Sequence, residues 1–287
     1  MANPVLKQAL QKDDIVIAPG AYDALTAKLV ACAGFPAVYM SGAGVSYSQL
    51  ASPDIGLLTQ TEMADQAARL VDAVQIPVIA DGDTGFGNAL NVRRTIQLYE
   101  RAGVSAIQME DQTFPKKCGH MQKKSLISAA EMVAKINAAA DARTDENFLI
   151  IARTDARGVS GMAEALERAH RYQEAGADIL FVEAPQSEEE LRDIAGQFAI
   201  PLMANMVEGG KTPIVPADRL QDMGYKLVIY PNTITRFYMK QALRILQSLR
   251  ADGTSQGYQH EMMLFDEINE LLGLSRVKEL EAKYTFE

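Results

Sequence analysis

Residues 76–83 read IPVIADGD. An apolar run without polar alternation marks a strand buried on both faces, because a half-exposed strand alternates. A helical pattern follows, NVRRTIQLYERAG at 91–103, and then a second apolar run, AIQMED, at 106–111. Gly103 closes the helix, where a residue free to take left-handed backbone stops the winding. Strand, helix, strand in this order makes a parallel crossover. The same unit recurs in both directions along the chain. Its apolar runs are IVIAPG from Ile15, AVYMSG from Ala37, FLIIARTD from Phe148, ILFVEA from Ile179, PLMANM from Pro201 and KLVIYP from Lys226. Eight such units predict an α/β fold of the (β/α)8 TIM-barrel kind. An open doubly wound sheet would want a GxGxxG turn after its first strand, and this chain has APGAYDA there.

The 287 residues suit one barrel domain over 1–287, with 233–287 as a helical tail. A long helix is expected from Thr233 to about Ala251, then a break at DGTSQGY, then a helical segment from about His260 to Lys283. Its apolar residues Met263, Phe265, Ile268, Leu271 and Leu272 suggest packing on a neighbouring subunit. The net charge of -9 argues against nucleic acid as a partner. The longest apolar runs are strand-sized, so no membrane partner is expected. The opening MANPVLKQALQKDD has no apolar signal core. Two cysteines cannot form a disulfide framework, and a cytoplasmic protein is expected. Cys32, in LVACAGF, is expected to be a core thiol.

Barrel active sites lie at the carboxyl ends of the strands. Those ends carry Ser41-Gly42, Asp81 and Asp83, Glu110 and Asp111, Arg153 to Asp155, Glu183, and Asn205 with Glu208 beyond. One such acid could equally cap a helix or pair with a lysine. Asp81, Asp83 and Glu110 on adjacent strands would repel one another if dry and unpaired. A hard divalent cation resolves that, and oxygen ligands suit Mg2+ (or Mn2+) better than zinc. The loop after the fourth strand, DQTFPKKCGHMQKKSL at 111–126, places Cys118 beside His120 among Lys116, Lys117, Lys123 and Lys124. These cations would attract an anionic substrate and lower the thiol pKa. His170 and His260 have no evident partner. Tyr47, Ser48 and Asp54 could reach the site from the second loop.

At this point the segments GAYDALTAKL, YMSGAGVS, SPDIG, IPVIADGDTGFGNALNV, EDQTFPKKCGH, ARTDAR, AGADILFVEA and LMANMVEGGKTP can be read together. Over nearly its whole length the chain resembles the isocitrate lyase / phosphoenolpyruvate mutase superfamily. The resemblance implies a barrel, Mg2+, small oxo-acid chemistry and a homotetramer with the eighth helix exchanged between subunits. It implies Asp81 as the direct metal ligand, with Asp54, Asp83 and Glu110 around its waters. Ser41, Gly42 and Ala43 would grip a substrate carboxylate through backbone N–H groups, with Tyr39 beside them. Arg153 would neutralise an oxyanion or carboxylate. Lys117, Gly119, His120, Glu183 and Asn205 would line the second half of the substrate.

Cys118 matches the cysteine of the lyase branch that protonates the departing carbanion. The KKCGHM form is similar to the dimethylmalate lyases. Methylisocitrate lyases typically have arginine before the cysteine and Arg-Pro-Asn after the histidine. The implied reaction is retro-aldol cleavage of a 2-hydroxy di- or tricarboxylate, with Tyr39 or a metal-bound hydroxide as base. Oxaloacetate decarboxylation, or phosphonate mutation of the carboxyphosphonoenolpyruvate kind, is the alternative on the same barrel.

Overall fold

Each apolar run forms a strand, and side-chain parity along the strands decides what faces inward. In the computed structural model, which describes residues 1–119 and 123–285, the strands are β1 (Val16–Ala21), β2 (Val38–Met40), β3 (Val78–Asp81) and β4 (Ala106–Glu110). They continue as β5 (Leu149–Thr154), β6 (Ile179–Val182), β7 (Met203–Asn205) and β8 (Leu227–Tyr230). They pair in parallel with their sequence neighbours from β1 to β6 and from β7 to β8, and β1 also pairs with β8 through four registered residues, from Val16–Leu227 to Pro19–Tyr230. The ring closes between β6 and β7 at a parallel bridge, Leu180 to Leu202, where the Leu180 N–H donates to the Pro201 carbonyl at 3.0 Å. The fold is a (β/α)8 barrel.

The helices before the tail are α1 (Val5–Ala9), α2 (Ala24–Cys32), α3 (Gly42–Leu50), α4 (Gln60–Ala73), α5 (Ala89–Ala102) and α6 (Ala129–Ala142). They continue with α7 (Met162–Glu174), α8 (Glu188–Ala195) and α9 (Ala217–Met223). Several start on a side-chain cap. Asn88 accepts from the N–H groups of Leu90 and Asn91, and Thr59 and Glu62 close a reciprocal capping box. Two helices, α3 and α4, follow β2 where the sequence reading anticipated one. Ser41 caps α3 by accepting from the Gly44 N–H.

Successive strand residues alternate between two cores. Ile79, Ala106, Leu149, Ile151, Ile179, Phe181, Met203, Leu227 and Ile229 fill the barrel, and Leu6 and Leu10 join them. Val78, Ala80, Ile107, Met109, Ile150, Ala152, Leu180 and Val228 belong to the core beneath the helices. The interior parity continues upward from Ile79 to Asp81, from Ala106 through Gln108 to Glu110, from Ile151 to Arg153, from Phe181 to Glu183 and from Met203 to Asn205. The polar residues anticipated at the strand ends are therefore the top layer of the barrel interior.

Cys32 departs from expectation. It is exposed, because the buried face of α2 is carried by Thr26, Ala27 and Val30, and Cys32 lies two residues off that stripe.

The chain divides into two compact units, residues Met1–Thr235 and Arg236–Glu287. The second unit holds most of α10 (Thr233–Asp252), a 3₁₀ turn at Gln256–Glu261, α11 (Phe265–Leu271) and α12 (Leu274–Tyr284). The single final helix expected from His260 is thus broken, at Gly273 in left-handed backbone (φ 82°). Among the described residues no helix is long and apolar enough to cross a membrane.

Candidate active site

The top layer closes around a cavity of about 40 Å³. Tyr39, Ser41, Ala43, Asp54, Asp81 and Glu110 line it. So do Lys117, Cys118, Gly119, Arg153, Glu183 and Asn205, with Lys116, Pro231 and Asn232. Twelve of the fifteen residues to which the family resemblance gives a role thus line it. Gly42 stands immediately behind, its N–H donating to Asp81 Oδ2 at 3.2 Å. Asp83 meets Asp81 through its own N–H, which donates to Asp81 Oδ1 at 3.0 Å. His120 lies outside the described residues. Tyr47 and Ser48 do not line the cavity; the Ser48 hydroxyl turns back to the Val45 carbonyl within α3.

The acid ring holds an internal cation. Lys116 Nζ lies 2.5 Å from Asp54 Oδ1 and 2.8 Å from Asp83 Oδ1, with the lysine buried. Burial would lower the ammonium pKa, but Asp83, Asp54 and Asp81 outweigh it and hold the group well above its usual range. One ammonium does not neutralise four acids. Burial, with Asp81 and Asp54 adding to it, pushes Asp83 up to about 6 even against Lys116. Burial likewise drives Glu110 well up, although Arg153 opposes it.

A divalent cation fits this ring. Glu110 Oε1 is buried with no hydrogen bond among the described residues. The donors are all hard oxygens. Among the described residues no three acids, histidines or cysteines converge on one point. The protein would thus supply few direct ligands and leave the remainder to water and substrate, as a small hard cation prefers and a structural zinc does not.

Arg153 forms the opposite pole. Its Nε donates to Asp155 Oδ2 at 2.9 Å and its Nη2 to Asp155 Oδ1 at 3.1 Å. It also lies 3.4 Å from Glu110, 3.7 Å from Glu183 and over the Phe181 ring at 5.1 Å. Asp155 is in turn fixed from behind. Asp111 accepts from the Asp155 N–H, the Thr154 hydroxyl and the Tyr172 hydroxyl, each at 2.8 Å, and pairs with Arg168 at 3.2 Å. Burial would raise the Asp155 pKa, but Arg153 and Lys124 prevail and bring it to about 2.

Two of the four loop lysines, Lys116 and Lys124, are already paired with acids. Lys116 is spent on Asp54 and Asp83. Lys124 sits on Asp155, and Lys117 Nζ donates to the Lys123 carbonyl at 3.1 Å. Gln108 was missed: it accepts the Tyr39 hydroxyl at 2.8 Å and reaches Asp81 at 3.5 Å. Its signal was available, as a polar residue at interior parity within a buried strand. Asn232 was missed as well, and its Oδ1 accepts the Ser41 hydroxyl at 3.1 Å. It follows the last strand, where nothing in the sequence marks it.

Residues 6–250 match the family model of phosphoenolpyruvate phosphomutase. The chain is 48% identical to a 2,3-dimethylmalate lyase of Eubacterium barkeri over 97% of its own length and 96% of the relative's. It is also 48% identical to a 2-methylisocitrate lyase of Aeropyrum pernix, over 94% of this chain and 86% of that one. A crystal structure of phosphonopyruvate hydrolase in complex with oxalate and Mg++ superposes with a TM-score of 0.88 at 33% identity, covering 99% of both chains. The barrel agrees with this kinship: the chain belongs to the phosphoenolpyruvate phosphomutase family, within the isocitrate lyase / phosphoenolpyruvate mutase superfamily, and is an enzyme of its carbon–carbon lyase branch.

Proposed function

We propose that the enzyme cleaves the C2–C3 bond of a 2-hydroxy di- or tricarboxylate of the 2,3-dimethylmalate or 2-methylisocitrate type. The products are an oxo acid such as pyruvate and a carboxylate. The observation that carries this reading is Cys118 lining the same cavity as the acid ring, Arg153 and Glu183. A cleavage that leaves a carbanion needs a proton donor at that place. The enolate left by a decarboxylation also takes a proton, but it stays on the oxo-acid half, where water can supply it, and a phosphoryl shift leaves no carbanion to protonate.

Asp81 would hold Mg2+ (or Mn2+), with Asp54, Asp83 and Glu110 around its waters. When bound, the cation lowers the pKa of the substrate's 2-hydroxyl and offsets charge on its oxygens. The amino end of α3, capped by Ser41 and continued by Gly42 and Ala43, receives the C1 carboxylate on backbone N–H groups. Burial, with Asp81 beside it, pushes the Tyr39 phenol well above its usual pKa, so Tyr39 stays neutral, and its hydroxyl would turn from Gln108 Oε1 to donate to the 2-oxygen when substrate binds. That leaves hydroxyl deprotonation to another base. Arg153 steadies the oxygen that becomes the new carbonyl. Glu183 and Asn205, joined by an Asn205 Nδ2 to Glu183 Oε2 hydrogen bond of 3.2 Å, orient the departing half together with Lys117, Gly119 and His120. Cys118 then gives its proton to the carbon that leaves as an enediolate.

A homotetramer is part of the proposal, supported by the exposed Phe237, Leu243 and Leu246 on α10. So is a cytoplasmic location, as the reduced thiol requires. The test is oxo-acid release from 2,3-dimethylmalate, 2-methylisocitrate, isocitrate and oxaloacetate, with Mg2+ and with chelator. Pyruvate or glyoxylate from a hydroxy acid, abolished by chelator, is the expected outcome. Release from oxaloacetate alone would replace the lyase reading with a decarboxylase.

A further inference from the structure

Lys124 lies at the far end of the cysteine loop, and its ammonium is almost wholly enclosed, with 1% of its side chain exposed. It donates to the Gly119 carbonyl at 2.5 Å and to Asp155 Oδ1 at 2.5 Å. The same Asp155 carboxylate holds Arg153 through two hydrogen bonds, and Asp111 anchors the Asp155 backbone. A buried ammonium is costly unless every nearby charge and acceptor is used. Here its partners are a loop carbonyl and the carboxylate that orients the site arginine.

Gly119 makes the consequence local. A Cβ there would stand 2.3 Å from Arg153 Nη2 and 2.7 Å from Glu183 Oε1. The 118–119 backbone therefore rests directly on the arginine and the acid, with Cys118 the next residue along. The other end of this stretch is tied as well, by the Cys118 N–H donating to the Asp54 carbonyl at 3.2 Å and by Lys116 in the acid ring.

We infer that Lys124 is a positioning residue: it latches the Cys118–Gly119 segment onto the Asp155–Arg153 pair and so sets where the thiol stands over the cavity. It touches no reacting atom. Its effect passes through the Gly119 carbonyl to the cysteine and through Asp155 to the arginine. The consequence for turnover rests on the function proposed above, whereas the latch itself does not.

The test separates the two. In a Cys32→Ser background, which removes the exposed thiol, the rate at which iodoacetamide alkylates Cys118 is measured for the parent, K124M and K135M. Lys135 is another buried lysine, with its Nζ on the Thr84 carbonyl at 3.0 Å and, among the described residues, no hydrogen bond or ion pair to the cysteine loop. Released from its latch, Cys118 in K124M is expected to react ~10-fold faster, while K135M keeps the parent rate. If K124M does not accumulate as folded protein, K124Q carries the same comparison. An unchanged rate in the Lys124 variant, or an equal rise in K135M, overturns the latch. On a substrate the parent cleaves, K124M is expected to lose kcat by ~10²-fold with KM little changed, because a thiol displaced by an ångström still leaves the carboxylate subsite intact. Faster alkylation without any parent activity on the hydroxy-acid panel would keep the latch and remove the lyase reading.

Discussion

Gly119 shows how closely single residues are fitted at this site. An alanine there directs its methyl group at Arg153 and Glu183. Gly119→Ala is expected to lower kcat/KM by ~10²-fold. Its denaturation midpoint should move less than its activity, since the atoms met are the ends of side chains rather than backbone; steady-state kinetics beside a denaturant titration checks both. Asp83 carries a second prediction. Its pKa in the cation-free protein is about 6, above the ordinary 3.8, so the folded state binds a proton there that the unfolded state has lost between these values. A divalent cation must displace that proton. The Asp83 part of its affinity is therefore expected to be pH-independent well above 6 and to weaken about tenfold per pH unit below it, for the one proton displaced there, with the raised Glu110 acting in the same direction. Mn2+ titrations at pH 5 and pH 7 measure this, and equal affinities would show that Asp83 takes no part. At this scale the acids and Arg153 were legible because buried strand ends seldom carry such groups, and Cys118 because its lysine-rich loop leaves one of those ends. Lys116 and Lys124 were not. The four lysines of the loop look alike in sequence, and which of them finds an acid depends on a backbone path that no local pattern encodes.

The strands and their crossovers hold these residues in register. The seam between β1 and β8 is the tightest approach: a Cβ on Gly20 would lie 2.0 Å from the Pro231 carbonyl oxygen. Backbone cannot yield as a flexible side chain does. Gly20→Ala is expected to cost about 3 kcal/mol or more of stability, read by chemical denaturation, and to displace Pro231 at the cavity wall. The eight strands were readable because each is a short apolar run closed by a helix. Their parity, from Ile79 to Asp81 or Ile151 to Arg153, could likewise be carried to the site. The extra helix α3 was hidden, because GAGVSYSQL lacks an amphipathic stripe and depends on its Ser41 cap. Cys32 misled for a related reason, since an apolar neighbourhood does not say which face of a helix a residue occupies.

For the molecule as a whole, acid sensitivity follows from the charge networks. Asp155 has a folded pKa of about 2 against an ordinary 3.8, so its pairing with Arg153 and Lys124 stabilises the fold fully above about pH 4. That contribution is lost as the pH falls from 3.8 through 2. An Asp155→Asn variant is therefore expected to show a flatter decline of melting temperature over this interval than the parent. The tail was only partly legible: its helices were visible, but the break at Gly273 was not. The central claim is that Cys118 delivers the proton that completes carbon–carbon cleavage. The most direct measurement is kcat for Cys118→Ser against the parent, on whichever hydroxy acid releases oxo acid. A fall of ~10²- to 10⁴-fold with Mn2+ affinity unchanged is the predicted result, the range a positioned general acid contributes. Full activity in the variant would contradict it.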